Sequence, residues 1–445
     1  MIYDRKLWTL VLLLFSGCLT SAATQQQSAD STLTLTLNDV WQKAAANSKT
    51  ALIAAKAVAI RRELTADAIA DKLPDAELAA NFEKTTNLPV YDNGLLHSPY
   101  QHAITQTHYK TDANFFLTLY NGHKLNLKIE EDKMLQQIAE TQQRLTLSDV
   151  RYKAAAAYLE LQKATVFKQL ILTDIERQEK QLAQIKENYK NGVLLKSDLL
   201  RVELDLNRRR LTREQVENDI RIANQQLNIL IGEKDEQPVQ PEAIADPSLN
   251  PPGSYDDYVA IALQHAYSYH AAAQQTELSK IKLKEAKANT QPKVGLYGDF
   301  NFAYPQTLLY PYNPNLYSIG VMGVRASFPI ASLYKNAHKV KAAQLELEKE
   351  TYAHEDAADK LRQQVREVYL RYKEALVQIE LARENVARAT ENERIVKNTY
   401  FNNVSLITDL LDADVQLLQS QFELEAARIL AQNKYYLLQN IIGNL

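Results

Sequence analysis

The spacing of apolar and polar positions changes from helical to alternating twice along this chain, at corresponding places in two halves. The stretches Lys124 to Asn191, Val193 to Ile231, Ser254 to Gln291 and Ile330 to Ile442 contain neither Pro nor Gly and are built mainly from Ala, Leu, Gln, Glu, Lys and Arg. These are strong helix formers with nothing to interrupt them. A first helix is expected from about Leu37 to Lys72, with Thr36 or Asn38 placed to cap it, and its counterpart begins near Ser254; each stops at a proline, Pro74 or Pro292. After each proline the period falls to two. Ala76, Leu78, Ala80 and Phe82 alternate with Asp75, Glu77, Asn81 and Glu83, the small Ala79 being the exception on the polar side. Val294, Leu296, Gly298, Phe300, Phe302 and Tyr304 alternate with Lys293, Gly295, Tyr297, Asp299 and Asn301. One greasy and one polar face suit a strand between lipid and a wet lumen, or a hairpin lying on a soluble core.

The return strands are less sharply written. Tyr109, Thr111, Ala113, Phe115, Leu117 and Leu119 can face outward against His108, Lys110, Asp112 and Asn114, but Leu316 to Phe328 fits either register. Tyr91, Tyr100, Tyr304, Tyr310, Tyr312 and Tyr317 gather near the hairpin ends, as an interfacial girdle would. The next helix, from about His123 to Tyr189, would extend about 100 Å at 1.5 Å per residue. A helix of that length must bury a seam against neighbours, so the long segments read as coiled-coil-like.

The two halves share a turn. Tyr189 to Glu203 reads YKNGVLLKSDLLRVE and Tyr400 to Asp414 reads YFNNVSLITDLLDAD, 211 positions later. Upstream the offset is 218, matching Asp39 with Asp257, Pro74 with Pro292 and Phe82 with Phe300. The first hairpin region is therefore seven residues longer, a difference that exposed loop tips tolerate. The expected organisation is a first repeat over 36–232 (strands about 74–120, turn 189–198), a Pro-rich and acidic linker over 233–253, and a second repeat over 254–443 (strands about 292–329, turn 400–409).

Charge adds an exclusion. With 51 basic and 54 acidic residues the net charge is -3, which carries no nucleic-acid footprint. The N-terminus has the form of an export signal: Arg5 and Lys6, the apolar run Leu7 to Phe15, then small residues. Cleavage after Ser21-Ala22-Ala23 would remove residues 1–23; alternatively Phe15-Ser16-Gly17-Cys18 would be read as a lipoprotein box, removing 1–17 and lipidating Cys18, the single cysteine. No later stretch reaches the run of about 20 apolar residues that a membrane helix requires, so entry into a bilayer would be by β-strands. The eight His are scattered without metal-ligand spacing, and no phosphate-binding glycine loop occurs among 11 Gly. Neither an enzyme nor a bound cofactor or metal is expected.

The signal sequence, the two helix, β-hairpin, long helix, turn, helix repeats and the paired turns around Asp198 and Asp409 resemble the TolC-type outer membrane efflux and secretion channels. The resemblance implies a mainly α chain with membrane β. Three protomers would give four strands each to one 12-stranded barrel above a long α-helical periplasmic tunnel. It implies a homotrimer in outer membrane lipid, working with a periplasmic adaptor and an inner membrane pump or ABC transporter as a passive exit duct. The adaptor-docking tip would comprise Asn191, Gly192 and Val193 with Asn402, Asn403 and Val404. The gate would be a ring formed by Asp409 and Asp412, whose carboxylates share a helix face and would have raised pKa values when three copies converge. A bond between Tyr400 and Asp198 would latch it. Ser405 stands where the family has a second latching arginine, which implies a looser lock. Beside these roles, Asp198 and Asp409 also fit first-turn acids behind the caps Ser197 and Thr408. Asp412, deeper in its helix and mirrored by Arg201, favours the gate, and Asp414 is expected on a solvated face. The alternative is a soluble periplasmic coiled-coil adaptor or scaffold, which accounts for the helices but not for two hairpins inserted at equivalent places.

Overall fold

The computed structural model describes residues 32–242, 253–306, 313–402 and 404–445. The signal segment with Cys18, the middle of the linker, Tyr310, Tyr312 and Asn403 lie outside the described residues.

Each repeat opens with a helix pair. Helix α1 (Leu37–Asn47) starts in a capping box in which the Thr36 hydroxyl accepts from the Asp39 amide and the Asp39 carboxylate accepts from Thr36 N, closing two otherwise unpaired donors. Ser254 and Asp257 build the same box at the head of α5 (Tyr255–His265). The single helix expected from Leu37 to Lys72 is in fact two, because the chain turns extended at Ser48 (ψ 126°) before α2 (Lys49–Ala70). Ala266, 218 positions on, makes the same break (ψ 119°) before α6 (Tyr267–Ala288). At both breaks the amide still bonds to the carbonyl four residues back, so the helix changes direction without losing that bond.

Four strands form one antiparallel sheet in the order β2 (Asp75–Lys84), β5 (Thr107–Tyr120), β7 (Lys293–Tyr304), β8 (Tyr317–Ser327). The two hairpins join through β5 and β7, leaving β2 and β8 as edges. The registers carry both repeat offsets: Asp75 faces Phe116, and Lys293 faces Ser327. The first partner is displaced by 218 and the second by 211, which locates the length difference in the loop beyond the strands. That loop contains a small hairpin, β3 (Leu88–Val90) with β4 (Tyr100–His102). Its Leu95 and Leu96 are fully exposed.

Rows across the sheet are uniform. Leu78, Ala113 and Phe300 lie in one row, and Leu117, Leu296 and Val324 in another. Leu78, Phe82, Met322 and Val324 on this face are all exposed. The opposite face carries Glu77, Asn114 and Asp299 in register, and Asn301 donates to Asp112 (2.9 Å), which also pairs with Lys110. The pairing fixes β8, placing Met322, Val324 and Ala326 on the apolar face and Ile319 and Val321 on the other. Alternation holds along β5 as far as Leu117. A bulge then takes Leu119 out of the ladder and sets Tyr120 opposite Val294. Close approach is built in at Gly298, where a Cβ would collide with the Phe115 ring at 2.3 Å.

Below the sheet run α3 (Lys124–Lys190) with α4 (Lys196–Ile231), and α8 (Ala337–Phe401) with α9 (Ile407–Ile441), the latter pair entered through the single turn α7 (Ser332–Lys335). Helices α1 and α5 pack at mid-length against these pairs, burying Val40, Ala44, Leu161 and Leu227 in one cluster and Ala262, Val365 and Leu438 in the other. Two short strands that the residue pattern did not announce, β1 (Leu33–Leu35) and β6 (Val239–Pro241), pair in parallel there. The linker is thus ordered at its start. Tyr158 of α3 fastens both, its hydroxyl donating to Leu35 O and accepting from Glu242 N, each at 2.9 Å.

Candidate functional site

At the end remote from the sheet, both helix pairs reverse through matched turns. Val193 N donates to Asn188 O and Val404 N to Thr399 O, both at 2.9 Å. Gly192 adopts φ +77°, a left-handed conformation that costs an L residue about 1–2 kcal/mol. Asn191, Gly192, Val193, Asn402 and Val404 are all exposed, and so are Leu195 and Leu406, which the sequence reading passed over. Four aliphatic side chains therefore stand in solvent at the tip, between 56% and 76% exposed, where a protein surface could cover them.

The helices begin two residues earlier than their hydroxyl residues suggested. Leu195 and Leu406 are the caps, not Ser197 and Thr408, and neither offers a side-chain oxygen. Asp409, at the third helical position, makes the other half of a capping box, its Oδ2 receiving Leu406 N at 3.0 Å. Asp198 instead lies beside Ser197, whose hydroxyl is 3.5 Å away. Asp409 and Asp412 are both exposed, three residues apart on α9.

Tyr400 is buried among Ile185, Val202, Ile407 and Leu410. Its hydroxyl has no hydrogen-bond partner, so the bond to Asp198 is not made in the single chain. The carboxylate is nonetheless felt. Burial first, and the Asp198 charge second, push the phenol up to about 12. Ser405, at the position of the family's second latch, is used locally: its hydroxyl lies 3.0 Å from Thr399 Oγ1 and donates to Val396 O, closing the turn onto α8.

A second polar centre lies higher up, and the sequence reading missed it. Asp414 is not on a solvated face; it is fully buried, accepting from Gln181 Nε2 at 3.1 Å with Arg177 Nη2 at 3.7 Å. Arg177 also pairs with Asp174 (2.5 Å) and reaches Glu393 of α8 (3.9 Å). Arg209 is held between Asp174 and Asp205, the latter at 2.7 Å. Burial pushes the Asp174 carboxyl up against the opposing pull of Arg209 and Arg177. The signal was in the spacing: Ile407, Leu410, Asp414 and Leu417 follow a 3, 4, 3 rhythm, so Asp414 occupies a seam position. Among the described residues no group of His, Cys, Asp and Glu is placed to hold a metal, and no helix is long and apolar enough to cross a membrane.

The assembled features are a four-stranded sheet with one exposed apolar face, four long helices beneath it and two adjacent tip turns. They recur in solved outer membrane channels. CusC superposes with a TM-score of 0.79 at 16% identity, covering 92% of each chain. OprN gives 0.76 at 15% identity, over 92% of this chain and 90% of its own. VceC of Vibrio cholerae gives 0.74 at 16% identity, over 92% of this chain and 96% of its own. This is the fold of the outer membrane channels. Residues 259–444 also match the family model described as outer membrane efflux protein, so the second repeat carries that domain by sequence while the first carries the same fold. No curated protein matches the chain.

Proposed function

We propose that this outer membrane channel protein acts as a passive exit duct for efflux or type I secretion, gated at its periplasmic tip. The observation that carries the reading is the sheet: one apolar face, one polar face and two unpaired edges, β2 and β8, set on helices about 100 Å long. Open edges are not viable in hydrocarbon, and four strands cannot close on themselves. β2 and β8 run in opposite directions, so the β8 of one copy can pair antiparallel with the β2 of the next. Three copies then give twelve strands, with the apolar rows toward lipid and the Glu77, Asn114 and Asp299 row toward the lumen.

The helices would carry the duct across the periplasm. The exposed Val193, Leu195, Val404 and Leu406 would receive an adaptor tied to an inner membrane pump or ABC transporter, with Asn191, Gly192 and Asn402 shaping the two turns. Asp409 and Asp412, exposed and threefold repeated, would ring the constriction and favour cations. Tyr400 would hold the turns closed by packing, with Asp198 acting on it through space. No catalytic step, cofactor or nucleic acid enters this mechanism.

The test is conductance of the purified channel in planar bilayers. Asp409→Asn with Asp412→Asn should lower the preference for cations over anions severalfold while leaving assembly intact. Undiminished selectivity would remove the carboxylates from the constriction. A water-soluble monomer in the periplasmic fraction would favour the adaptor reading over the channel.

A further inference from the structure

The repeat offset allows contacts inside one chain to be transferred to positions where the chain has none. Helix α3 packs against α6 and α9 of the other repeat, whereas its counterpart α8 packs chiefly against α5, α6 and α9 of its own. Along the first contact Asp414 receives Gln181, with Arg177 nearby; Leu418 joins Ile171, Ile175 and Leu206; and Phe422 stacks on Phe167 with ring centres 4.5 Å apart. The residues 211 positions before Asp414, Leu418 and Phe422 are Glu203, Asn207 and Leu211, which run along the outer face of α4 with Leu211 61% exposed.

The receiving surface has a counterpart as well. Asp174, Arg177, Gln181, Asp205 and Arg209 correspond to Asn385, Arg388, Asn392, Gln416 and Ser420. These five line a groove of about 480 Å3 between α8 and α9. By the same offset, the apolar setting of Leu418, formed by Ile171, Ile175 and Leu206, becomes Ala382, Val386 and Leu417 where Asn207 would arrive.

We propose that the groove between α8 and α9 is the seat for α4 of a second copy, with that copy's Glu203 taken by Arg388 and Asn392 as Asp414 is taken by Arg177 and Gln181 within the chain. The proposal rests on the trimeric reading above and assigns its helical interface residue by residue. Arg388 now pairs with Glu384 at 2.9 Å and Glu203 with Lys186 at 3.2 Å, both on exposed side chains. Such surface pairs exchange partners at little cost. The same transfer accounts for a bare patch on α2: Ile60 is 60% exposed, while Leu278, 218 positions later, is 2% exposed because α6 is covered on the side where α2 is open.

Oxidation of a Glu203→Cys, Asn392→Cys chain in outer membranes should give a disulfide-linked ladder ending at trimer on non-reducing gels. Each single variant, which controls for Cys18, should give none. Independently, Glu203→Arg and Arg388→Glu should each lower trimer yield severalfold, and the double variant should restore it. A trimer captured by amine cross-linking without the cysteine ladder, or a disulfide that stays within one chain, overturns the seat and leaves the trimer standing. A chain that remains monomeric under amine cross-linking overturns the trimer itself.

Discussion

The two helix pairs have one backbone plan and two different interiors. Between α3 and α4 the chain buries Arg209 with Asp174 and Asp205, Arg177 lies half-buried beside them, and α9 closes over the cluster with Asp414. Between α8 and α9 the matching positions are Asn385, Arg388, Gln416 and Ser420, so one arginine is kept without its carboxylates, and the groove stays open. Duplication therefore preserved where helices run and not what binds them. A site already covered inside the chain can hold unscreened ions, because every charge has a fixed partner. The open groove is lined instead by groups that tolerate water, as the proposed seat for a second copy would require.

The largest effect that would sharpen this contrast is at Arg209. Arg209→Ala strands Asp205 in the interior and leaves Asp174 with Arg177 alone, and breaking a buried pair in this way costs about 3–5 kcal/mol. Ser420→Ala at the equivalent position gives up one neutral bond, from the hydroxyl to Gln416 O, and should cost about 0.5–1.5 kcal/mol. Chemical unfolding followed by circular dichroism measures both, and equal losses would erase the distinction. Asp414→Ala should come next, at about 1–3 kcal/mol for a buried group that leaves Gln181 without its acceptor, whereas Glu203→Ala should be nearly silent in the isolated monomer. The smallest effect is at the tip. The Tyr400 phenol is raised to about 12, so its neutral form stabilises the packed turn in full below the ordinary value near 10. That contribution is lost as pH rises through about 12. Asp198→Asn should lower the titration midpoint yet leave it above 10, because burial is the larger cause. Tyrosine-labelled NMR, with Tyr400→Phe assigning the signal, would read it, and a midpoint unmoved by Asp198→Asn would show that the two turns do not sense each other.

Legibility followed periodicity. Ala76 to Phe82 and Val294 to Phe302 declare their strands because lipid and lumen demand opposite chemistry on alternate residues. The fourth strand does not, since Ile319 and Val321 point one way and Met322 and Val324 the other, apolar on both faces. The breaks at Ser48 and Ala266 left no trace because neither Pro nor Gly makes them, and β1 and β6 are three residues each, too short for a pattern. At the tip the repeat itself pointed to Tyr400, Asp198 and Asp409. The caps were misplaced because the helices open on leucines, which have no hydroxyl to announce them, while Asp409 reaches back to the Leu406 amide. Asp414 was misjudged by its charge rather than by its place in the seam.

The clasp that Tyr158 makes on Leu35 and Glu242 also works as a ruler. It pins the start of the described chain to the middle of α3, 34 residues below Lys124, a drop of about 51 Å. Were Cys18 the lipidated residue, the 17 steps from it to Leu35 would reach about 60 Å when drawn straight, a span close to that drop, so the length of this leash would bear directly on whether anchor and clasp can be held together.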